Sequence, residues 1–403
     1  MEGNKGPEGR SRPFMRIAFF ANADNIHTKR WAEFLRSRGH DLRIFCDPPV
    51  HNPPPGIPLI HPEMNLLTQV LAFRLFPKPY GNNYFKRFPY KHAVKAFAPD
   101  IVHGFEALGY GYALAHCGPY PKVLTPWGND ILCDPRESRI ARFLVQKALD
   151  SADMITTNFL ELAEYLTKDF SIPESKIRPF SWGVDLSIFH PGYREEAAFL
   201  KRDLHLPSDS RILLSSRMMK PYWGIETIAR ALPRVFREIP NSYAVFLRGA
   251  GEETFENHIR EIIQKSGFLD RVRFVPEYLT EKQMAVYLNM AEAFVSCPKS
   301  DLLSLSVLEG MACGCAPILG LLPAYKKRVV HKHNGLFFKP ENTENLADTV
   351  IGFLRNHTLK NEFAEINIKL IREKDDWNKN APQLEEIYLN LAEQKKKQKG
   401  RLR

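Results

Sequence analysis

The stretch Ser300–Gly314 reads SDLLSLSVLEGMACG, and it decides how the rest of the chain is interpreted. It places Asp301 eight positions before Glu309, with small polar residues between them. Short apolar runs at 293–296 and 316–320 predict strands on either side of a loop and a helix. A loop that opens a helix after a strand presents free backbone N–H groups and a positive dipole end, which suit a diphosphate. Carboxylates on either side suit hydroxyl groups, so the stretch predicts a sugar-nucleotide site.

This stretch resembles the Glu-x(7)-Glu signature of retaining glycosyltransferases with the GT-B fold, in the large family of glycogen synthase-like and mannosyltransferase enzymes (glycosyl transferases group 1, family 4). Asp301 stands where the first Glu is expected, and Glu309 matches the second and is followed by Gly-Met-Ala-Cys-Gly. Asp keeps the charge of Glu but has a shorter side chain, and residues 302–304 replace the usual Gly-Phe-Gly. The alternative for this stretch alone is an ordinary amphipathic helix that begins near an Asp.

The composition fits a globular protein of two domains that attracts anionic partners. The chain has 403 residues, 44% of them hydrophobic, and a formal net charge of +10. A single core rarely grows to this length, and the charge would attract nucleic acid, anionic lipid or nucleotide sugars alike. The chain contains no apolar run long enough for a membrane-spanning helix. Its six cysteines lack the spacing of a zinc site, which predicts reduced thiols in the cytoplasm.

Predicted strands and helices alternate along the chain, which argues for parallel sheets and two Rossmann-like halves. The resemblance covers residues 15–392 and implies an α/β protein of the GT-B fold, whose two parallel sheets face a cleft. Its last helix would begin near Asp376. The predicted divisions are a disordered leader at 1–14, an N-terminal acceptor domain at 15–187, a C-terminal nucleotide-sugar donor domain at 188–370, a crossover helix at 371–394 that packs on the first domain, and a disordered basic tail at 395–403.

The second domain contains an arginine that suits a diphosphate. Residues 211–217 predict a strand that ends at Arg217, where the resemblance implies an Arg and a Lys that clamp the diphosphate. A guanidinium binds two phosphate oxygens well, although an ordinary surface Arg after a strand is the alternative. Trp223 occupies the usual place of the Lys, and Lys220 is the only lysine in the loop.

The resemblance also assigns roles to the residues around this arginine. It implies that Glu309 accepts hydrogen bonds from ribose hydroxyls and that Asp301 holds donor-sugar hydroxyls near the reacting carbon. Arg217, Asp301 and Glu309 are therefore the predicted catalytic residues. The further donor-binding residues that we predict are Lys220, Glu277, Tyr278, Ser304, Leu305 and Ser306, with Glu277 and Tyr278 lining the nucleobase slot.

In the first domain, polar residues follow strands predicted at 15–20, 100–104 and 123–125. Ligands of open parallel sheets bind at such carboxyl ends, so we expect acceptor and sugar contacts there. Pro126–Asp130 resembles the W-G-x-D variant of the family, although a tight turn around a buried Trp is the alternative. The helix-opening His27 is as easily a structural residue. The candidate residues are Asn25, His27, His103, Trp127 and Asp130.

A basic and aromatic segment also belongs to this domain, because residues 64–99 contain no Asp or Glu. Lysines and arginines are interleaved there with phenylalanines and tyrosines, a composition that is attracted to anionic bilayers and anchors at their interface. We hypothesise that residues 66–97 dock a cytoplasmic protein on the inner face of a membrane. The alternative is a core helix with a solvated charged face.

Together these features predict a glycosyltransferase that moves a sugar from a nucleoside-diphosphate sugar to a glycan, lipid-linked or small-molecule acceptor with retention of configuration. Such a reaction belongs to glycan, polysaccharide or glycolipid biosynthesis. We expect no metal and no cofactor apart from the donor, because no Asp-x-Asp motif stands in the strands of the predicted cleft. The alternatives are a catalytically silent nucleotide-sugar-binding subunit, a nucleic-acid-binding protein, for which no module is present, and an epimerase or phosphorylase on the same fold.

Overall fold

The protein is described by a computed structural model, which covers residues 14–64, 70, 80–158 and 160–401. Two compact units divide the chain. The second unit is Ser181–Asn380, and the first comprises the chain as far as Phe180 together with the segment that begins at Ala381.

The first unit is built on a parallel sheet of seven strands. These strands are β1 Arg16–Phe20, β2 Asp41–Phe45, β3 Leu59–Ile60, β4 Ile101–Phe105, β5 Lys122–Thr125, β6 Met154–Thr157 and β7 Ile177–Pro179. They lie in the order β3-β2-β1-β4-β5-β6-β7. The central strands β1 and β4 are almost wholly buried, as expected of parallel strands that are covered on both faces.

Helices connect these strands, and the final helix of the chain returns to the same sheet. Among the residues that the structure describes, the α-helices of the first unit include Ile26–Ser37, Tyr80–Phe85, Arg87–Phe97, Tyr110–Ala115, Asn129–Leu132, Asp134–Glu137, Arg139–Ser151, Leu160–Phe170 and Pro382–Arg401. Glu385 of the final helix binds Arg38 at 2.8 Å and His40 at 3.1 Å, at the end of the first helix. These contacts attach the final helix to the first unit.

The second unit repeats the plan with six parallel strands. They are β8 Arg211–Ser215, β9 Ser242–Leu247, β10 Val272–Val275, β11 Ala293–Ser296, β12 Ala316–Gly320 and β13 Leu336–Phe338. Their order is β10-β9-β8-β11-β12-β13. The α-helices are Arg194–Asp203, Ile225–Glu238, Glu253–Lys265, Glu281–Met290, Leu305–Ala312, Thr343–Arg355, Leu359–Lys374 and Trp377–Asn380.

Both sheets reverse their strand order at one point. This point lies between β1 and β4 in the first sheet and between β8 and β11 in the second. In open sheets of this doubly wound type, ligands bind beyond the carboxyl ends of the strands at such a point. The prediction of two Rossmann-like halves with parallel sheets is therefore confirmed. Functional residues are expected in the loops that follow these four strands.

The structure differs from the predicted divisions at the end of each unit. The second unit begins before residue 187 because Val184 pairs with Asp376. Val184 accepts from the backbone N–H of Trp377 at 2.9 Å and donates its own to the carbonyl of Asp375 at 2.7 Å. Asp376 therefore lies in this bridge, the short helix Trp377–Asn380 follows it, and the final helix begins at Pro382 and not at Asp376.

The basic tail also differs from its expected disorder. The final helix continues through it as far as Arg401. Lys397 pairs with Glu393 one turn earlier, at 2.7 Å, and such pairs add a few tenths of a kcal/mol to a helix, on the order of 0.2–0.5. A run rich in lysine and glutamine also has good helix propensity.

Candidate active site

Arg217 and Asp301 meet at the edge of the second sheet where its strand order reverses. β8 ends at Ser215 and β11 ends at Ser296, so the loops after these strands carry the two charged residues to the same place. The Arg217 side chain is 8% exposed and that of Asp301 is 14% exposed. The structure thus brings together two of the three residues that we predicted to be catalytic.

Arg217 is held by four neighbours. Its Nε donates to Oγ of Ser296 at 2.8 Å, and its Nη2 donates to Oδ2 of Asp301 at 2.5 Å and to the hydroxyl of Tyr325 at 3.0 Å. The guanidinium carbon lies 4.9 Å from the centre of a Trp223 ring. Burial alone would lower the pKa of Arg217, but Asp301 and Tyr325 raise it overall. Within the described chain Nη1 has no hydrogen-bond partner, so its N–H groups remain for a ligand.

Tyr325 completes this cluster and was missed by the sequence analysis. It lies in the 3₁₀ helix Pro323–Lys327, which follows β12, and its side chain is fully buried. Its hydroxyl donates to Oδ2 of Asp301 at 2.8 Å. Burial raises the pKa of Tyr325 well above its ordinary value, and the negative Asp301 adds to this rise against an opposing effect of Arg217. The hydroxyl therefore keeps its proton and stays a donor.

The helix Leu305–Ala312 begins beside this cluster. Its N-cap is Ser304, whose side chain makes no capping bond to the helix and instead contacts the hydroxyl of Ser306 at 2.9 Å. The first backbone bonds that close on Ser304 come from the N–H groups about one turn later, at 307 and 308. Because the first N–H groups of a helix have no intrahelical acceptor, those of Leu305 and Ser306 point out of the helix end.

Glu309 lies one turn into the same helix and is half-buried. It follows Leu305 by four positions and Ser306 by three, so the three residues share one face. Helical side chains lean toward the N-terminus, which directs the carboxylate of Glu309 toward the open N–H groups. The predicted donor residues of this helix therefore form one continuous surface.

The predicted replacement for the missing clamp lysine has another partner. The Nζ of Lys220 lies 3.6 Å from a carboxylate oxygen of Glu252, and both side chains are largely exposed. Exposed pairs of this kind are worth only about 0–1 kcal/mol, so the pair does not hold Lys220 firmly. The Lys220 side chain is thus more loosely placed than that of Arg217, which four neighbours fix.

Glu277 and Tyr278 follow β10 and lie in different environments. Glu277 lines a mostly apolar cavity of about 440 Å³ that also receives Val275, Leu279 and Tyr287. Tyr278 points away and is 77% exposed. The predicted nucleobase slot therefore has one of its two residues at a cavity and the other on the open surface.

In the first unit, His27 and Trp127 lie together at the carboxyl edge of the sheet. Their ring centres are 5.1 Å apart, and both side chains are half-buried. Burial, together with the nearby Arg30, lowers the pKa of His27 to about 3, so its imidazole is neutral at pH 7. Asn25 is the N-cap of the helix Ile26–Ser37 and accepts from the backbone N–H of His27 at 2.8 Å.

Asp130 shapes the loop next to these rings. Its carboxylate accepts from the backbone N–H groups of Ala107 at 2.6 Å, Gly128 at 2.8 Å and Trp127 at 3.0 Å. Burial raises the pKa of Asp130, while these backbone bonds oppose the rise. The residue is 4% exposed, so it acts on the loop and presents little surface to a ligand.

Glu106 is a second acidic residue at this edge, and the sequence analysis did not single it out. It directly follows β4, has a left-handed backbone with φ 75°, and accepts from the backbone N–H groups of Leu108 at 2.6 Å and Gly109 at 2.8 Å. Burial and the neighbouring Asp130 raise its pKa. Its position just beyond a strand was the signal that could have found it.

His103 lies in the core of the first unit, not at the surface where we expected it. Strand β4 extends to Phe105, so His103 is an interior strand residue with no exposed surface. Its Nδ1 binds the hydroxyl of Tyr388, and its Nε2 binds Oγ1 of Thr125 at 2.6 Å. Burial lowers its pKa well below the ordinary value. We therefore correct its assignment from a contact residue to a neutral core histidine.

The described part of the chain contains neither a metal-binding cluster nor a membrane-spanning helix. Across the ranges that the structure describes, no group of three or more His, Cys, Asp or Glu side chains could hold a metal ion. Metal independence stays a prediction. Likewise, none of the helices in those ranges is both long and apolar enough to cross a bilayer.

Comparison with known families agrees with this geometry. The model described as "Glycosyl transferase 4-like" matches residues 16–158, and the model described as "Glycosyl transferases group 1" matches residues 197–370. The first match lies in the first unit and the second match in the second unit. The chain therefore belongs to the glycosyltransferases of the GT-B fold.

Individual relatives cover nearly the whole chain. The putative teichuronic acid biosynthesis glycosyltransferase TuaC of Bacillus subtilis is 24% identical, over 89% of this chain and 92% of its own. Sucrose-phosphate synthase from Thermosynechococcus elongatus has a TM-score of 0.77 at 18% identity, covering 93% and 98%. Anabaena Alr3699/HepE, solved with UDP-glucose, has a TM-score of 0.74 at 15% identity, covering 93% and 100%.

Proposed function

We propose that this glycosyltransferase transfers a sugar from a nucleoside-diphosphate sugar to a hydroxyl acceptor with retention of anomeric configuration. The observation that carries the proposal is the buried Arg217, which keeps Nη1 open beside the N-terminus of the helix Leu305–Ala312. A structural neighbour, Anabaena Alr3699/HepE, was solved with UDP-glucose, which supports a donor of this class. Glycan, lipid-linked and small-molecule acceptors all remain compatible with the site.

The hard step is departure of the nucleoside diphosphate. As the bond from the anomeric carbon to the β-phosphate oxygen breaks, the carbon gains oxocarbenium character and negative charge grows on the phosphate. Catalysis therefore needs donors that are already aimed at that charge. Arg217 would supply a cation, and the N–H groups of Leu305 and Ser306 would supply a helix end with a positive partial charge. Glu309 would accept from the ribose hydroxyls.

The reaction does not require a protein base. On the same face of the sugar, the acceptor oxygen forms its bond to the anomeric carbon while its proton passes to an oxygen of the leaving diphosphate. Atoms and charge balance within donor and acceptor. Retention follows because entry and departure use one face. We further propose that no metal takes part, since Arg217 and the helix end would provide the positive charge.

Slow donor hydrolysis tests the proposal without knowledge of the acceptor. A panel of uridine, guanosine and adenosine diphosphate sugars is first ranked by thermal shift, because ligand binding raises the melting temperature by mass action. The best donor is then followed for nucleoside diphosphate release, and the anomeric configuration of any transfer product is read by NMR. We expect release in the wild type and strong loss in Arg217→Ala and Glu309→Ala.

The runner-up, a silent nucleotide-sugar-binding subunit, predicts a different result in the same assay. It would show a thermal shift with a sugar nucleotide but no release above the uncatalysed rate. A product of inverted anomeric configuration would support transferase activity but refute the proposed retention of configuration. A chain that shows neither binding nor release would refute the whole assignment.

We also propose that the first unit contacts an anionic membrane surface. Residues 65–69 and 71–79 of the predicted docking segment lie outside the described residues. In its described part, Phe88 is 52% exposed and is followed on the same helix by the exposed Lys91 and Lys95. Phe143, on the helix Arg139–Ser151, is 50% exposed and is followed by the exposed Lys147. We call these five residues the basic face.

Some basic side chains of this segment turn toward the protein, and others are exposed to solvent. Lys86 and Arg87 turn inward, to Asp47 at 2.6 Å and to the Tyr112 hydroxyl at 3.0 Å, and so are only partly available to lipid. His116 lies close enough to both Lys91 and Lys147 for each to lower its pKa, after the larger effect of burial. The two lysines therefore belong to one surface.

Flotation with vesicles of neutral and of anionic lipid tests this contact. Each exposed lysine near an anionic surface contributes about 1 kcal/mol, so Lys91→Glu with Lys147→Glu should abolish flotation with anionic vesicles at physiological salt. Lys265→Glu, an exposed position in the second unit, is the matched control and should float normally. Failure of the wild type to float would refute the membrane contact and leave the transferase proposal intact.

A further inference from the structure

The carboxylate of Asp301 is almost fully engaged by protein donors. Oδ2 accepts from Nη2 of Arg217 at 2.5 Å and from the hydroxyl of Tyr325 at 2.8 Å, while Oδ1 accepts from the backbone N–H of Leu302 at 2.9 Å. A carboxylate oxygen has two lone-pair positions. Both positions of Oδ2 are therefore filled, and Oδ1 has one left.

The length of the side chain explains why the carboxylate is held so close. Asp301 is one methylene shorter than Glu, so its carboxylate stays near the backbone that precedes the helix Leu305–Ala312. At this depth its side chain is 14% exposed. A group that is this enclosed and already bonded has little capacity to hold hydroxyls of a sugar.

We propose that Asp301 and Tyr325 are positioning residues that orient the guanidinium of Arg217 toward the diphosphate, and that Asp301 does not bind the donor sugar. This inference rests on the proposed function and concerns the same site. Ser296, Asp301 and Tyr325 together fix Nε and Nη2, and the geometry of a planar guanidinium then fixes the direction of Nη1. The phosphate-facing nitrogen is thus aimed before the donor arrives.

Comparing a nucleoside diphosphate with its sugar nucleotide separates the two roles of Asp301. The probes are UDP, GDP and ADP with their glucose or mannose derivatives, and the pair with the larger thermal shift is carried into calorimetry. If Asp301 and Tyr325 orient Arg217, both Asp301→Asn and Tyr325→Phe weaken the diphosphate and the sugar nucleotide by the same factor, roughly tenfold, as expected for loss of a hydrogen bond to a charged group.

A double-mutant cycle distinguishes positioning from a general loss of structure. In an Arg217→Ala background the guanidinium is gone, so adding Tyr325→Phe should change diphosphate affinity by less than twofold. Tyr388→Phe removes another buried, hydrogen-bonded tyrosine hydroxyl, in the first unit. This control should lower thermal stability and leave diphosphate affinity unchanged.

The outcomes are separable. If Asp301→Asn weakens only the sugar nucleotide and leaves the diphosphate unchanged, Asp301 binds the sugar and the proposal is wrong. If Tyr325→Phe lowers diphosphate affinity equally in the wild-type and Arg217→Ala backgrounds, its effect does not pass through Arg217, and the proposal is also wrong. If Arg217→Ala itself leaves diphosphate binding unchanged, the proposed function fails, not only this assignment.

Discussion

Arg217→Lys keeps a positive charge at the edge of the second sheet but removes the guanidinium geometry. Arg217 uses Nε for Ser296 and Nη2 for Asp301 and Tyr325, which leaves Nη1 for a phosphate oxygen. A lysine offers three donors from a single nitrogen. That nitrogen cannot bond three separated protein acceptors and also approach a diphosphate. We expect it to remain with Asp301, so the leaving phosphate loses its preset donor.

The size of the effect follows from the donors that are lost. Removing one preset donor at a developing charge costs about 2.7–4 kcal/mol, or on the order of 10²–10³ in kcat. The buried partners of Arg217 are also left short of donors, which lowers the free energy of unfolding by about 1–3 kcal/mol. For a unit of this size, each kcal/mol lowers Tm by roughly 2–4 °C. At 25 °C the protein therefore stays folded while turnover falls.

The assay is release of nucleoside diphosphate at 25 °C, with circular dichroism as the check on folding. We expect kcat to fall by a larger factor than KM for the sugar nucleotide rises. The lost hydrogen-bond donor acts mainly on the negative charge that develops as the nucleoside diphosphate departs. Arg230→Lys is the control, since Arg230 is half-exposed and paired with Glu226 on the surface. Turnover of Arg217→Lys within threefold of the wild type would show that charge alone suffices and would refute the geometric argument.

Gly224→Ala should destabilise the second unit, because Gly224 has φ 68° and an added Cβ would overlap the carbonyl oxygen of Cys297. Gly352→Ala, in an open helical position, should stabilise the unit by about 0.5–1 kcal/mol. Urea denaturation should therefore show changes of opposite sign in the free energy of unfolding for the two variants. Asp130→Asn replaces a carboxylate that accepts three backbone N–H groups and should lower the free energy of unfolding by about 1–3 kcal/mol; an unchanged thermal midpoint would contradict this role. The pKa of His27 falls from 6.5 to about 3 on folding, so the unfolded chain binds more protons at this residue, and the free energy of unfolding should decline as pH falls from about 6.5 toward 3. In denaturant titrations His27→Gln should make this decline with pH shallower. The same decline in the variant as in the wild type would contradict the low pKa of His27.

The fold could be predicted because buried parallel strands leave a strong local signal. Strands predicted at 293–296 and 316–320 coincide with β11 and β12. Each is a short apolar run between polar loops, as expected where helices cover both faces of a sheet. The start of the final helix was placed less well, because Asp376, where it was predicted to begin, pairs with Val184, which is 192 positions away (376 − 184).

The candidate site was predictable only where its chemistry appears in local sequence. Asp301 and Arg217 follow strands and are charged, so position and residue type identify them. Tyr325 lies 108 positions from Arg217 and has no motif around it. Its role depends on packing that brings the loops after β8, β11 and β12 together. His103 was misassigned for a different reason, because it lies within the strand predicted at 100–104 and all five residues of β4 are buried.

The two places where this chain departs from the family pattern act on the same guanidinium. Trp223 stands where a clamp lysine is expected, and its ring packs against Arg217 at 4.9 Å. Asp301 stands where a longer Glu is expected, and its carboxylate binds Arg217. The first change leaves Arg217 without the lysine that the family pattern places beside it, and the second pairs its charge with a carboxylate. If this site binds a diphosphate as proposed, recognition depends on the direction of the N–H groups, from Nη1 and from the helix end, as well as on positive charge, and the buried contacts on Nε and Nη2 secure that direction.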